Sequence, residues 1–222
     1  MYRESCHRCF RIKSICICES IQPFEVEPLI VLLVHPREFM KTVGTVRLVK
    51  LSISGSILIR GHGKDFDQDP NIASIVSNPH HHSMILFPGE HSLNLTSAPK
   101  DVIQNQIPFD RRLVIFVMDG TWSAAKNMIK DSKVLSQLQK ISFDVHEAST
   151  YEFRKQPNPF CLSTVEAVSL LITNLKEKQL CMPKPMDGHL KMIDVLKKLV
   201  SIQLEFESNP QHREGKRYRS VI

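Results

Sequence analysis

Leu113-Val114-Ile115-Phe116-Val117-Met118-Asp119-Gly120-Thr121-Trp122-Ser123-Ala124-Ala125-Lys126-Asn127-Met128 decides how this chain is read. Leu113 to Val117 is an uninterrupted apolar run, the pattern of a parallel strand buried on both faces. Beyond Gly120, the residues Trp122, Ala125, Met128 and Ile129 fall at i, i+3, i+6 and i+7 and make one helical face. The stretch joins a buried strand to a helix, and Asp119 stands at the carboxyl end of that strand, where open α/β sheets place their ligands. An Asp in front of a helix also caps it by accepting orphan backbone N–H bonds. Capping requires no aromatic partner, however, and Trp122, the only Trp in the chain, lies three residues on and on the same side as the acid. Asp119 and Trp122 are therefore the first candidate site residues.

Working outward, Leu29-Ile30-Val31-Leu32-Leu33-Val34 is a second buried strand, and it runs into His35-Pro36-Arg37-Glu38. His35 is read as a hydrogen-bonding residue at the strand end, since nothing near it in sequence would orient it as a base. A helix is expected over 42–52 on a stripe of Val43, Val46, Val49 and Ile53, with Arg47 facing elsewhere. Ile57-Leu58-Ile59 and Met84-Ile85-Leu86-Phe87 are short strands. Between them, Gly61 to His82 reads as loop with one helical turn near Ile72 to Val76. Adjacent side chains of His80-His81-His82 diverge, so that run reads as exposed loop rather than a metal site. Pro88-Gly89-Glu90 forms a turn that can bring backbone groups toward a ligand, and Leu93 to Asp110 reads as loop with one helical turn. Ile141 to Val145 alternates like a strand. Prolines 157 and 159 keep the following segment out of a helix. Ser163-Thr164-Val165-Glu166 has capping-box spacing and opens a helix through Val168, Leu171, Ile172 and Leu175, so a structural role suffices for Ser163 and Glu166. A last helix is expected from Leu190 to about Glu207.

A chain of 222 residues suits one large domain able to bury an active site. Its formal net charge of +6 and isoelectric point near 9.0 admit a polyanionic partner without requiring one. No apolar segment approaches a membrane span and the N-terminus has no apolar signal region, so a cytoplasmic protein is expected. Four of the six cysteines, Cys6, Cys9, Cys16 and Cys18, crowd into C-x2-C-x6-C-x-C. In a reducing compartment this points to metal rather than disulfides, and four thiolates complete a structural zinc site with no position open for substrate. Cys16 and Cys18 are closer than the usual spacing of about two to four residues, and free cysteines near a terminus are the alternative. The expected organisation is a zinc knuckle over 1–24, an α/β domain over 25–207 and a basic tail over 208–222.

Taken in order, the cysteine pattern, His35-Pro36-Arg37-Glu38, Asp119-Gly120-Thr121-Trp122, Tyr151-x2-Arg154 and Leu162-Ser163-Thr164-x-Glu166-Ala167 resemble the motifs of the DTW-domain proteins, the tRNA-uridine aminocarboxypropyltransferases. The resemblance spans roughly residues 6–175, and five ordered motifs are far more specific than any one of them. It implies transfer of the 3-amino-3-carboxypropyl group of S-adenosylmethionine to N3 of a uridine in tRNA, with release of methylthioadenosine. It also implies a mostly parallel sheet flanked by helices, SPOUT-like, with a C-terminal knot that pattern reading alone does not propose. Gly44 departs from the family, many of whose members carry Asn before the Thr at that point, which puts any side-chain role of position 44 in doubt.

The same resemblance implies a donor site of Leu86, Pro88, Gly89, Asp119, Thr121, Trp122, Leu162, Ser163 and Thr164. Arg37, Arg47, Arg154 and Lys155 suit RNA phosphates, and the zinc lobe with Arg8, Arg11 and Lys13 would hold the tRNA body. The partner is then tRNA, with neither DNA nor membrane involved and a monomer as the working form. Uracil N3 is a weak nucleophile until its proton leaves, so Asp119 is the candidate general base, with burial against Trp122 raising its pKa. Binding the donor's amino group and stabilising the sulfonium remain open for the same acid. Trp122 can stack on the donor or serve the core. Two other functions stand beside this one: RNA methylation from the same donor, and a non-catalytic zinc-containing RNA-binding module.

Overall fold

The computed structural model describes residues 4–41, 44–151 and 161–208. Six strands form one sheet: β1 (Leu29–Val34), β2 (Ile57–Arg60), β3 (His81–Leu86), β4 (Leu93–Asn94), β5 (Arg112–Asp119) and β6 (Gln139–Ser142). Their order is β2-β1-β5-β3-β6-β4, and every pairing is parallel. Eight α-helices accompany them among the described residues: α1 (Pro36–Phe39), α2 (Val46–Ser52), α3 (Pro70–Ser77), α4 (Lys100–Gln106), α5 (Trp122–Lys130), α6 (Lys133–Ser136), α7 (Thr164–Glu177) and α8 (Gly188–Ser208).

The uninterrupted apolar strands have a simple cause, because the sheet is covered on both faces. Along β5, Leu113, Ile115 and Val117 pack with Val46 and Val49 of α2, Val168 and Ile172 of α7 and Leu196 of α8. Val114 and Phe116 point the other way, toward Ile72 of α3 and Met128 and Ile129 of α5. Strand alternation then puts Asp119 on the α7 side of the sheet. Ile17, Ile21 and Phe24 join that same core, so the cysteine-rich N-terminal segment is packed onto the domain. Gly188 lets α8 begin against Phe24, since a Cβ there would lie 2.4 Å from the ring.

Several elements differ from the sequence expectation. His81 and His82 belong to β3 rather than to an exposed loop, because they pair with Arg112 and Leu113 of the central strand. The segment read as loop with one helical turn after Leu93 contains β4 as well as α4, which runs longer than one turn, and β6 begins two residues earlier than the alternation suggests. α2 begins at Val46 and buries Val46, Leu48, Val49 and Ser52; residues 42 and 43 lie outside the described residues. Trp122 leaves the apolar face of α5, which is built from Ala125, Met128 and Ile129, and is 54% exposed. As the first helical residue it is free of the core that the following turns enter. Among the described residues, no helix is long and apolar enough to cross a membrane.

Candidate active site

The central acid is fixed from both sides. Asp119 pairs with Val34 in the β1–β5 register, and its carbonyl accepts from His35 N at 3.0 Å. Its carboxyl is 5% exposed, and Thr164 Oγ1, at the start of α7, donates to Oδ1 at 2.5 Å. Asp119 does not cap α5. That task falls to Thr121, whose Oγ1 accepts from Ala124 N at 3.2 Å. Burial raises the Asp119 carboxyl above its ordinary value, against the opposing pull of the Thr164 hydroxyl, Lys41 and Arg47.

α7 reaches this position through its own cap. Ser163 Oγ accepts from Glu166 N at 3.3 Å while Glu166 Oε2 accepts from Ser163 N at 2.7 Å, which completes the capping box. Glu166 also accepts from Ser149 Oγ at 2.8 Å and from Thr150 N and Oγ1 at 2.7 and 3.0 Å. It therefore clamps the chain before Tyr151 onto the helix that touches Asp119. Burial pushes Glu166 up, but the bonds from Ser163, Ser149 and Thr150 outweigh it and hold the carboxyl below its ordinary value.

Basic groups gather beside the acid. Arg47 donates from Nη2 to the Phe39 carbonyl at 2.5 Å, and its guanidinium carbon lies 4.5 Å from the Phe10 ring centroid and 4.9 Å from that of Phe39. Burial and the Arg11 cation lower its pKa, opposed by Cys9 and Asp119. Arg11, from the cysteine-rich loop, is 1% exposed. Its Nη2 donates to the Gly44 carbonyl at 3.2 Å, whereas Nη1 is buried with no hydrogen-bond partner among the described residues. Position 44 thus contributes through its backbone. Burial pushes the Tyr151 hydroxyl up to about 12, with Arg11 acting against that and Asp119 and Glu166 with it. Lys41 Nζ is 2.8 Å from Glu38 Oε1.

The remaining expected site residues are distributed as follows. Leu86, the last residue of β3, pairs with Val117, two residues before Asp119, and Pro88 follows just beyond the strand. Gly89 is tied to Ser92, whose Oγ donates to its carbonyl at 2.8 Å. Trp122 stacks on Phe87 with centroids 4.8 Å apart, and the burial of Asp119 comes instead from the strand end and α7. Leu162 is half-buried just before the Ser163 cap, and Arg37 is exposed on α1. Arg154 and Lys155 lie outside the described residues. His35 Nδ1 accepts from Arg37 N at 3.2 Å and its ring meets that of His62 edge-on at 5.2 Å. Burial, then His62, Arg37 and Lys41, hold it below the ordinary histidine value. Lys41 and Phe10 enter the site without a sequence signal of their own, Tyr151 is marked only by the Tyr151-x2-Arg154 motif, and the burial of Arg11 is unmarked beside Arg8. An open cavity of about 300 Å³ bordered by Glu27, Pro108, Arg112 and Leu180 lies at the start of β5, away from Asp119, with its charged residues exposed.

The sulfurs of Cys6, Cys9, Cys16 and Cys18 all lie within 4.8 Å of one another, and Cys6–Cys18 and Cys9–Cys16 are each 3.7 Å apart. A tetrahedral ion with Zn–S bonds of about 2.3 Å separates its sulfurs by about 3.8 Å, so the four are placed to hold one metal ion. Backbone N–H groups of Cys9 and Arg8 bring the Cys6 thiol down to about 6, while burial and the adjoining sulfurs push Cys18 up. A cation among them is what allows all four to be thiolates. None of the six cysteines is in a disulfide.

Comparison with known proteins agrees with this arrangement. The chain is 24% identical over 205 residues to tRNA-uridine aminocarboxypropyltransferase 2 of Mus musculus, covering 91% of this chain and 64% of that protein. It is 25% identical over 179 residues to the protein of the same name from Macaca fascicularis, covering 79% of this chain and 57% of the relative. With tRNA-uridine aminocarboxypropyltransferase A of Arabidopsis thaliana it shares 28% over 231 residues, 92% of this chain and 82% of the relative. The chain therefore spans less than two thirds of the length of the two mammalian proteins. No solved structure matches it. The model of the DTW domain matches residues 3–204, from the cysteine knuckle through most of α8, and the chain belongs to the DTW-domain family.

Proposed function

We propose that this chain transfers the 3-amino-3-carboxypropyl group of S-adenosylmethionine to N3 of a uridine in tRNA. The observation that carries the reading is the buried Asp119 carboxyl, held by Thr164 at the carboxyl end of β5 in a chain of this family. Asp119 takes the N3 proton of a uridine drawn out of its stack. N3 bonds to the γ-carbon of the amino-acid side chain, the C–S bond breaks, and its electron pair returns to sulfur to give neutral methylthioadenosine. The proton leaves Asp119 for solvent, which restores the site. The raised pKa suits the role, because an ordinary carboxylate is too weak a base for this proton.

Three sulfonium carbons are open to attack, and the one aligned with N3 reacts, so pose selects the product. Leu86, Pro88, Gly89 and the Leu162–Thr164 segment wall the donor, and Trp122, stacked on Phe87 but half-exposed, offers an aromatic face. Arg37, Arg47, Arg154 and Lys155 contact phosphates. The four cysteines hold zinc, which shapes the knuckle and leaves no position for substrate. The organisation into knuckle, catalytic domain and basic tail, with the SPOUT-like knot, belongs to the same proposal, and an experimental chain trace from β6 to α8 tests the knot.

Mass spectrometry of an incubation with unmodified tRNA and S-adenosylmethionine reads both products. Aminocarboxypropyl uridine with methylthioadenosine is expected, and Asp119→Asn, which keeps an oxygen for Thr164, lowers the rate by about 100-fold or more. A methylated base with S-adenosylhomocysteine would overturn the regiochemistry. Donor-independent tRNA binding without product would leave an RNA-binding module.

A further inference from the structure

Arg11 has a buried group with nothing to bond. A guanidinium taken out of water is unfavourable unless its N–H groups are satisfied, and the penalty is larger for a charged group than for a neutral one. Arg11 is 1% exposed, Gly44 satisfies Nη2, and Nη1 has no hydrogen-bond partner among the described residues. Arg47 brings a second guanidinium into the same region, already committed to the Phe39 carbonyl and two aromatic rings. The nearby acids are engaged. Glu166 caps α7 and holds Ser149 and Thr150, Glu38 faces Lys41, and Asp119 accepts from Thr164. None of these carboxylates bonds to Arg11 Nη1 among the described residues.

We propose that Arg11 is the carboxylate-binding residue of the active site, its open Nη1 donating to the α-carboxylate at the amino-acid end of the donor. The inference rests on the reading that the donor is an S-adenosyl amino acid. The carboxylate ends a flexible three-carbon chain that extends away from the nucleoside of the donor, whereas a backbone phosphate stays on the outside of a folded RNA. The planar guanidinium also matches a carboxylate in shape as well as charge. The α-carboxylate is carried two carbons from the carbon that N3 attacks. Anchoring it immobilises the chain that migrates, and leaves the methyl group out of line. The cysteine-rich knuckle thereby supplies a wall of the donor site, in addition to any contact with tRNA.

Equilibrium binding to the full-length, metal-loaded protein separates this from a structural role. The probes are S-adenosylmethionine and its decarboxylated form, which keeps the ammonium and the sulfonium. Wild type is expected to bind S-adenosylmethionine about 10- to 100-fold more tightly, the effect of one charge-assisted bond. Arg11→Met should reduce S-adenosylmethionine to the level of the decarboxylated form and leave the latter unchanged, while Arg11→Lys should retain part of the preference. Equal affinity of wild type for both probes overturns the proposal, and this arm needs no variant to fold. A variant that weakens both probes alike also overturns it, and leaves the donor reading standing. Failure of wild type to bind S-adenosylmethionine at all overturns the donor reading and the inference together.

Discussion

Asp119 is held in a form the fold resists. Its pKa is raised by burial, so in the interval above the ordinary carboxylate value the native state binds more protons than the unfolded chain. Stability therefore falls as pH rises through that interval, while the fraction able to act as a base increases. Asp119→Asn removes the conflict and keeps the Thr164 bond. At neutral pH its thermal midpoint should rise above that of wild type, by about 2–4 °C for each kcal/mol relieved, while the proposed transfer slows. Thermal scans of both proteins from pH 4 to 8 check this, and a midpoint for the variant that tracks wild type throughout would contradict it. The position of Asp119 could be read from the sequence, because an apolar run that stops at an acid marks a strand end. The burial of Arg11 could not, since a basic residue in a loop looks alike whether it faces water or another segment thirty-three positions away.

α7 illustrates the element scale. The S-x-x-E spacing announced its start, and the helix begins there with both halves of the capping box. The spacing carries no sign that Glu166 also holds Ser149 and Thr150, because those bonds depend on where β6 delivers the chain. Ser163→Ala should cost about 1 kcal/mol, a shift of about 2–4 °C in thermal midpoint. Glu166→Gln should be more damaging, with a specific pH signature. The folded Glu166 carboxyl titrates below its unfolded value, so its contribution is complete above the unfolded value and disappears as pH falls through the folded one. The gap between wild type and Glu166→Gln should accordingly close in acid, and denaturant titrations at pH 7 and pH 3 measure it. β4 and the start of β3 escaped sequence reading for a related reason. Two residues of β4 and the His81–His82 pair become strand through their neighbours β6 and β5, and local propensity carries no record of a partner.

For the whole molecule, the parallel sheet gathers the carboxyl ends of β1, β3 and β5 at one edge, and the knuckle packs through Ile17 and Ile21 into the core on the α7 face. Each isoleucine contributes about 1.5–3 kcal/mol through burial. Stripping the metal with a chelator, or Cys9→Ser, should lower the thermal midpoint by about 5 °C or more, as scanning fluorimetry with parallel metal analysis will show. An unchanged midpoint would mean that the four cysteines are free thiols.

Asp119 and Thr164 stand 45 positions apart in the chain. At a synthesis rate of about 5–20 residues per second, the acid leaves the ribosome seconds ahead of the hydroxyl that closes over it. A nascent chain that ends at β6 has every strand of the sheet and no finished site. The buried Asp119–Thr164 pair then forms in one late step, when α7 docks, and protein fragments released early in translation lack it.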